Sequence, residues 1–177
     1  MASEDDEFTT LFQDFYPSLC RFLECLLGGR IALAQDLAQE SFLQLHRNAW
    51  GTLPHKEARF WLYRVARNFA INEFRKGQNR FKLFDRVVEV MSPRARNPEE
   101  EYEMKERQQL VLEMWQSLPE DQRVALLLRE QEQLSYREIG TVLNISESKV
   151  KVDIFRARTA LRENWTRRTR AHSNSQH

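Results

Sequence analysis

The chain of 177 residues is long enough for one ordinary domain or two small helical ones. Five glycines, five prolines and 30% charged residues favour helices, and a net charge of +1 gives no uniform field for nucleic acid or membrane. No apolar run is long enough to cross a bilayer and the acidic start Met1–Glu7 is unlike a signal peptide. Cys20 and Cys25 fit neither a zinc spacing nor a disulfide framework, so a cytoplasmic location is expected.

In chain order, Phe8–Leu27 reads as an amphipathic helix with Phe8, Leu11, Phe12, Phe15, Leu19, Phe22, Leu23 and Leu26 on its apolar face. Gly28-Gly29 ends it. A second helix is expected over about Ile31–Trp50, with Leu33, Leu37, Phe42, Leu43 and Leu45 as core candidates. On it Asp36, Gln39 and Glu40 stand at i, i+3 and i+4, so they project together beside Phe42. That face is either ordinary solvated surface or a dock for a basic partner.

Residues 51–59 are expected to form a loop broken by Gly51 and Pro54, before a third helix that begins at Arg59. Leu62, Val65, Ala66 and Phe69 make its buried side, while Arg64, Arg67, Asn68, Ile71, Asn72 and Arg75 make a second stripe. Basic groups interleaved with amides, next to aromatics such as Trp61, can follow a phosphate backbone and hold unstacked bases; a soluble Arg-rich surface is the plain alternative. After Lys76 come an apolar island, Phe81–Met91, and the acidic run Glu99–Glu101, expected to act as a flexible tether.

The stretch from Leu118 to Leu161 carries the most specific pattern. Pro119, Glu120 and Asp121 suit the start of a helix that runs toward Gln131. Ser135-Tyr136-Arg137-Glu138 is a capping box opening a short helix with Ile139, Val142 and Leu143 on one side. Asn144 suits a left-handed turn and Ser146 the cap of a third helix, with Val150, Ile154, Ala157 and Leu161 inward. Short helix, tight turn and longer basic helix form a helix-turn-helix. The outer residues Ser146, Ser148, Lys149, Lys151, Asp153, Arg156 and Arg158 are then candidates for contact with duplex DNA. Beyond Trp165 a polar, disordered tail is expected.

Charge by segment supports two nucleic-acid contacts. Residues 56–86 hold nine Lys/Arg against three Asp/Glu, and residues 149–170 hold eight against two. The four histidines are scattered, no metal-ligand spacing occurs, and no Gly-rich phosphate loop or nucleophile elbow is present. No catalysis, cofactor or metal is expected.

Three blocks in this order resemble the extracytoplasmic-function group of bacterial sigma factors. Asp36-Leu37-Ala38-Gln39-Glu40-Ser41-Phe42 is similar to the block that docks on the clamp helices of RNA polymerase. Trp61-Leu62-Tyr63-Arg64-Val65-Ala66-Arg67-Asn68 is similar to the helix that opens and reads the −10 element. Leu118-Pro119, Leu134-Ser135-Tyr136 and Arg156-Ala157-Arg158 are similar to the −35-reading domain. The resemblance implies an all-α protein of two helical domains on a flexible linker: residues 1–90, a linker over 91–108, a helix-turn-helix domain over 109–166 and a tail over 167–177. It implies core RNA polymerase, promoter DNA and an anti-sigma factor as partners. A helix-turn-helix regulator of another type, or an interaction protein without initiation activity, are the alternatives.

This chain departs from the family pattern at Lys149, where Thr is usual, at Val152-Asp153, where Ser-Arg is frequent, and at Asn72, where Asp is common. Asp153 either pairs with Lys149 four residues earlier or accepts from a cytosine amino group.

Overall fold

The computed structural model describes residues 4–76 and 109–174. Among these residues the only regular elements are helices: α1 (Glu4–Leu26), α2 (Ile31–Asn48), α3 (His55–Lys76), α4 (109–116), α5 (Glu120–Glu130), α6 (Tyr136–Leu143) and α7 (Glu147–Asn174). The apolar island Phe81–Met91 and the acidic linker 91–108 lie outside the described residues.

Helices α1, α2 and α3 pack as a three-helix unit. Its core joins Leu19, Phe22, Leu23 and Leu26 of α1 with Ala34, Ala38, Phe42 and Leu45 of α2 and Leu62, Tyr63 and Ala66 of α3. Gly28 and Gly29 take positive φ, which a side chain would resist, and so turn the chain from α1 into α2. Leu43, expected in the core, is 47% exposed, because the buried positions of α2 run through 34, 38, 41, 42 and 45. Ser41 is buried without penalty, since its hydroxyl donates to the Leu37 carbonyl at 2.7 Å.

Helix α3 starts four residues earlier than expected. Pro54 ends the preceding loop and its carbonyl accepts from the Glu57 and Ala58 amides, so it begins the helix instead of interrupting it. Ile71, expected on the outer stripe, is buried.

In the second unit α5 and α6 pack against α7. Helix α5 begins at Glu120, with Pro119 just outside it. The Ser135 capping box is complete in both directions, with Glu138 N–H to the Ser135 hydroxyl at 3.2 Å and Ser135 N–H to the Glu138 carboxylate at 2.7 Å. Asn144 takes the left-handed conformation, φ 55°, and Ser146 accepts from the Lys149 amide at 3.2 Å to cap α7. Gly140 is required by a close approach: a Cβ there would sit 2.8 Å from the Ile145 carbonyl oxygen.

The expected disordered tail is corrected over much of its length, because α7 continues to Asn174. Arg168 pairs with Glu113 of α4 at 2.6 Å and Asn164 donates to the Ser117 hydroxyl at 3.4 Å, which holds the extension against the rest of the unit. The two units share one continuous core, α1 meeting α5 and α3 meeting α6.

Candidate nucleic-acid interface

On α2 the side chains of Asp36 and Gln39 are exposed and Glu40 is half-buried, all on one side of the helix. Phe42 is not on that face. It is 2% exposed, with Phe12 and Phe8 at ring-centroid distances of 4.9 and 6.2 Å, so it supports the helix from within. The apolar residue that does join the acidic face is Leu43, three residues past Glu40 and four past Gln39. That spacing was visible in the sequence, but an apolar letter next to Phe42 reads first as core.

On α3, Arg64, Asn68, Asn72 and Arg75 are exposed and Trp61 is half-buried against the core. Two of the arginines are already engaged by the second unit. Arg67 donates to Asp121 at 2.7 Å and to Glu120 at 3.2 Å, both in the first turn of α5. Arg64 donates through Nε to the Val142 carbonyl at 3.2 Å and through Nη2 to the Thr141 carbonyl, at the C-terminal end of α6 where carbonyls lack helical partners. Just inside this stripe the Tyr63 hydroxyl donates to Glu132, and the Arg59 guanidinium reaches the Glu132 carbonyl at 3.5 Å. Burial, and next the adjacent Glu132 carboxylate, keep the Tyr63 hydroxyl protonated far above its ordinary range. Arg123 of α5 lies over the Phe74 ring at 5.8 Å and closes the other end of the contact.

The outer face of α7 is open. Ser146, Ser148, Lys149, Lys151, Arg156 and Arg158 are exposed. Lys151 pairs with Glu147 at 2.9 Å and sits over the Tyr136 ring, while Arg158 pairs with Glu130 of α5. Asp153 is 1% exposed and both its carboxylate oxygens accept from Lys149. Of the two roles open to Asp153, the structure shows the pairing: its carboxylate is buried and held by Lys149. In its place Val152 and Phe155, 42% and 68% exposed, stand among the cations. Apolar side chains at such positions can contact thymine methyl groups, a role that polarity and charge in the sequence do not signal.

Among the described residues no group of three or more His, Cys, Asp or Glu side chains is placed to hold a metal ion. No described helix is long and apolar enough to cross a membrane.

A helical chain with one arginine-amide stripe and one open, basic helix-turn-helix is a two-region nucleic-acid-binding protein. Residues 11–80 match the family described as Sigma-70 region 2, and residues 108–161 match Sigma-70, region 4. The ECF RNA polymerase sigma factor SigM of Bacillus subtilis is 32% identical over 161 residues, spanning 89% of this chain and 94% of the relative. The RNA polymerase sigma-H factor of Pseudomonas aeruginosa is 36% identical over 148 residues, spanning 72% and 70%. The sigma factor RpoE of Bartonella quintana, solved in complex with the anti-sigma factor NepR, shares the fold. Its TM-score is 0.61 at 20% identity, over 90% of this chain and 96% of that one.

The chain belongs to the extracytoplasmic-function sigma factors. It is an alternative sigma factor, the subunit through which RNA polymerase initiates transcription at particular promoters. The region 2 match accounts for the N-terminal half, which a helix-turn-helix regulator of another type would leave without a role.

Proposed function

We propose that three surfaces divide this work. Asp36, Gln39, Glu40 and Leu43 on α2 dock on core polymerase, with Phe42 holding the helix in place from the core. Trp61, Arg64, Arg67, Asn68, Asn72 and Arg75 on α3 engage the −10 region as the strands separate, the cations meeting phosphate and the amides and aromatic meeting unstacked bases. Ser146, Ser148, Lys149, Lys151, Arg156 and Arg158, with Val152 and Phe155, meet the −35 duplex in the major groove. Asp153 acts only through Lys149. The protein works in the cytoplasm, where polymerase is, and an anti-sigma factor is a further partner.

The observation that carries this reading is the exposure of an acidic, amide-bearing face on α2. Reversing its charge with Asp36→Arg and Glu40→Arg should abolish co-purification with core polymerase at moderate salt. Circular dichroism should be unchanged, because Asp36 is exposed and Glu40 lies outside the core. Full retention of polymerase by the double variant would refute the docking role.

A further inference from the structure

The strip of α7 assigned to the −35 duplex does not stop where the region 4 match stops, at residue 161. From Ser148, Val152 and Phe155 the same 3–4 spacing runs on through Thr159, Arg162, Thr166 and Arg170, so these residues share one side of a helix that continues to Asn174. Thr159, Arg162, Glu163, Thr166, Arg167 and Arg170 line one open surface along it.

The charges of α7 are divided by side. Arg158 reaches Glu130 of α5 and Arg168 reaches Glu113 of α4, and these pairs, with Asn164 on Ser117, brace the long helix against its unit. Arg162, Arg167 and Arg170 are exposed and, among the described residues, have no carboxylate partner. Glu163 lies among them and is paired with none of them. A guanidinium takes a phosphate through two parallel hydrogen bonds, so a row of three unpaired ones on a braced helix suits a phosphate backbone.

We propose that the extension of α7 is a second DNA contact, in which Arg162, Arg167 and Arg170 grip backbone phosphates of the duplex beside the −35 element. It rests on the −35 reading of α7 and adds to it a clamp that is indifferent to sequence. Length supports this. The major groove is about 12 Å wide, and the helix from Ser148 to Phe155 covers about 10 Å of it. Arg162 lies roughly 10 Å and Arg170 roughly 22 Å farther along the axis, past the groove and level with the phosphate rows that border it. Contacts of this kind fix position and add affinity without reading bases.

The test uses holoenzyme assembled from core polymerase and the full chain, with a promoter duplex that wild-type holoenzyme has selected from a random pool. Arg162→Gln, Arg167→Gln and Arg170→Gln together should weaken promoter binding about ten- to thirtyfold at moderate salt, by the same factor for every single-base variant of the −35 element. The slope of log K against log salt should fall by about two to three, since each lost phosphate contact removes about 0.9. Ethylation interference should lose the matching phosphates next to the −35 element and keep its base contacts. An unchanged slope with an unchanged interference pattern would overturn the inference. So would a loss traced to weaker binding of core polymerase, since the face would then meet protein. Lysine at the same three positions keeps the charge and should restore the slope; failure to restore it would mean that the glutamine variant acts through folding, and would also overturn the inference. Lys151→Gln with Arg156→Gln separates this contact from the reading beneath it. If that pair leaves the −35 footprint untouched, the −35 reading of α7 fails. If it erases the footprint while the triple variant changes nothing, only the extension is refuted.

Discussion

Asp153 shows how one side chain can invert its apparent role. In the sequence it is an acid among cations on a recognition helix, which suggests either repulsion of phosphate or acceptance from a base. In the structure its carboxylate is buried and chelates the Lys149 ammonium, while the lysine stem stays half in solvent. The contact orders the first turns of α7, the end proposed to enter the groove. Asp153→Asn keeps the shape and removes the charge. It should lower unfolding stability by about 1–2 kcal/mol, the worth of a hydrogen bond to a charged group when one partner can still reach water. Urea denaturation would measure this. No loss would mean that the pair forms only loosely in solution. Periodicity alone could not choose between the two roles, because Asp153 sits at the edge of the apolar stripe set by Val150, Ile154 and Ala157.

At the scale of the element, capping chemistry was the most legible signal. The Ser135–Glu138 box, the left-handed Asn144 and the Ser146 cap are local interactions, complete within a few residues, so neighbours in sequence specify them fully. Ser135→Ala should destabilise the protein by about 1 kcal/mol through loss of the cap on α6. Glu138 adds a pH signature. Its carboxyl is held below the ordinary carboxylate range, first by the Ser135 N–H and then by the Ser135 hydroxyl. A depressed folded value contributes stability above the unfolded pKa of about 4.3, and that stability is lost as pH falls through the folded value. Glu138→Gln retains the hydrogen-bond geometry without the titration, so its stability should fall less steeply on the acid side in pH-jump melts. Helix ends without such chemistry were less readable. Pro54 reads as a breaker, although its carbonyl accepts from the first turn of α3, and the extension of α7 depends on Glu113 and Ser117, contacts far away in sequence.

For the whole molecule, two helical units and their order could be read from the chain, but their junction could not. The stripe of α3 looked like one open surface because its 3–4 spacing says which residues share a side, not what covers that side. Tyr63 is the clearest case: it reads as a residue between stripes, yet it is fully buried, at 5.0 and 5.1 Å from the Phe15 and Phe22 rings, with its hydroxyl on Glu132. A core continuous through both units implies that the polymerase-free protein unfolds in one cooperative transition. Trp50 and Trp61 report on the first unit and Trp115 and Trp165 on the second. Single-tryptophan variants from each half should therefore give coincident thermal midpoints. Midpoints more than a few degrees apart would show that the units melt independently.

Gly140 is itself none of the DNA contacts proposed above, yet it constrains how they are placed. Its Cα lies so near the Ile145 carbonyl that a methyl group would sit 2.8 Å from the oxygen, and the backbone would have to shift to admit it. The recognition helix starts two residues beyond Ile145, too close for such a shift to be absorbed along the way. Hydrogen bonds to base edges are themselves limited to a few tenths of an ångström in length. The positional tolerance of promoter reading is thus inherited by a buried residue with no side chain, and the narrowness of the elbow becomes a gauge of how finely the groove must be met.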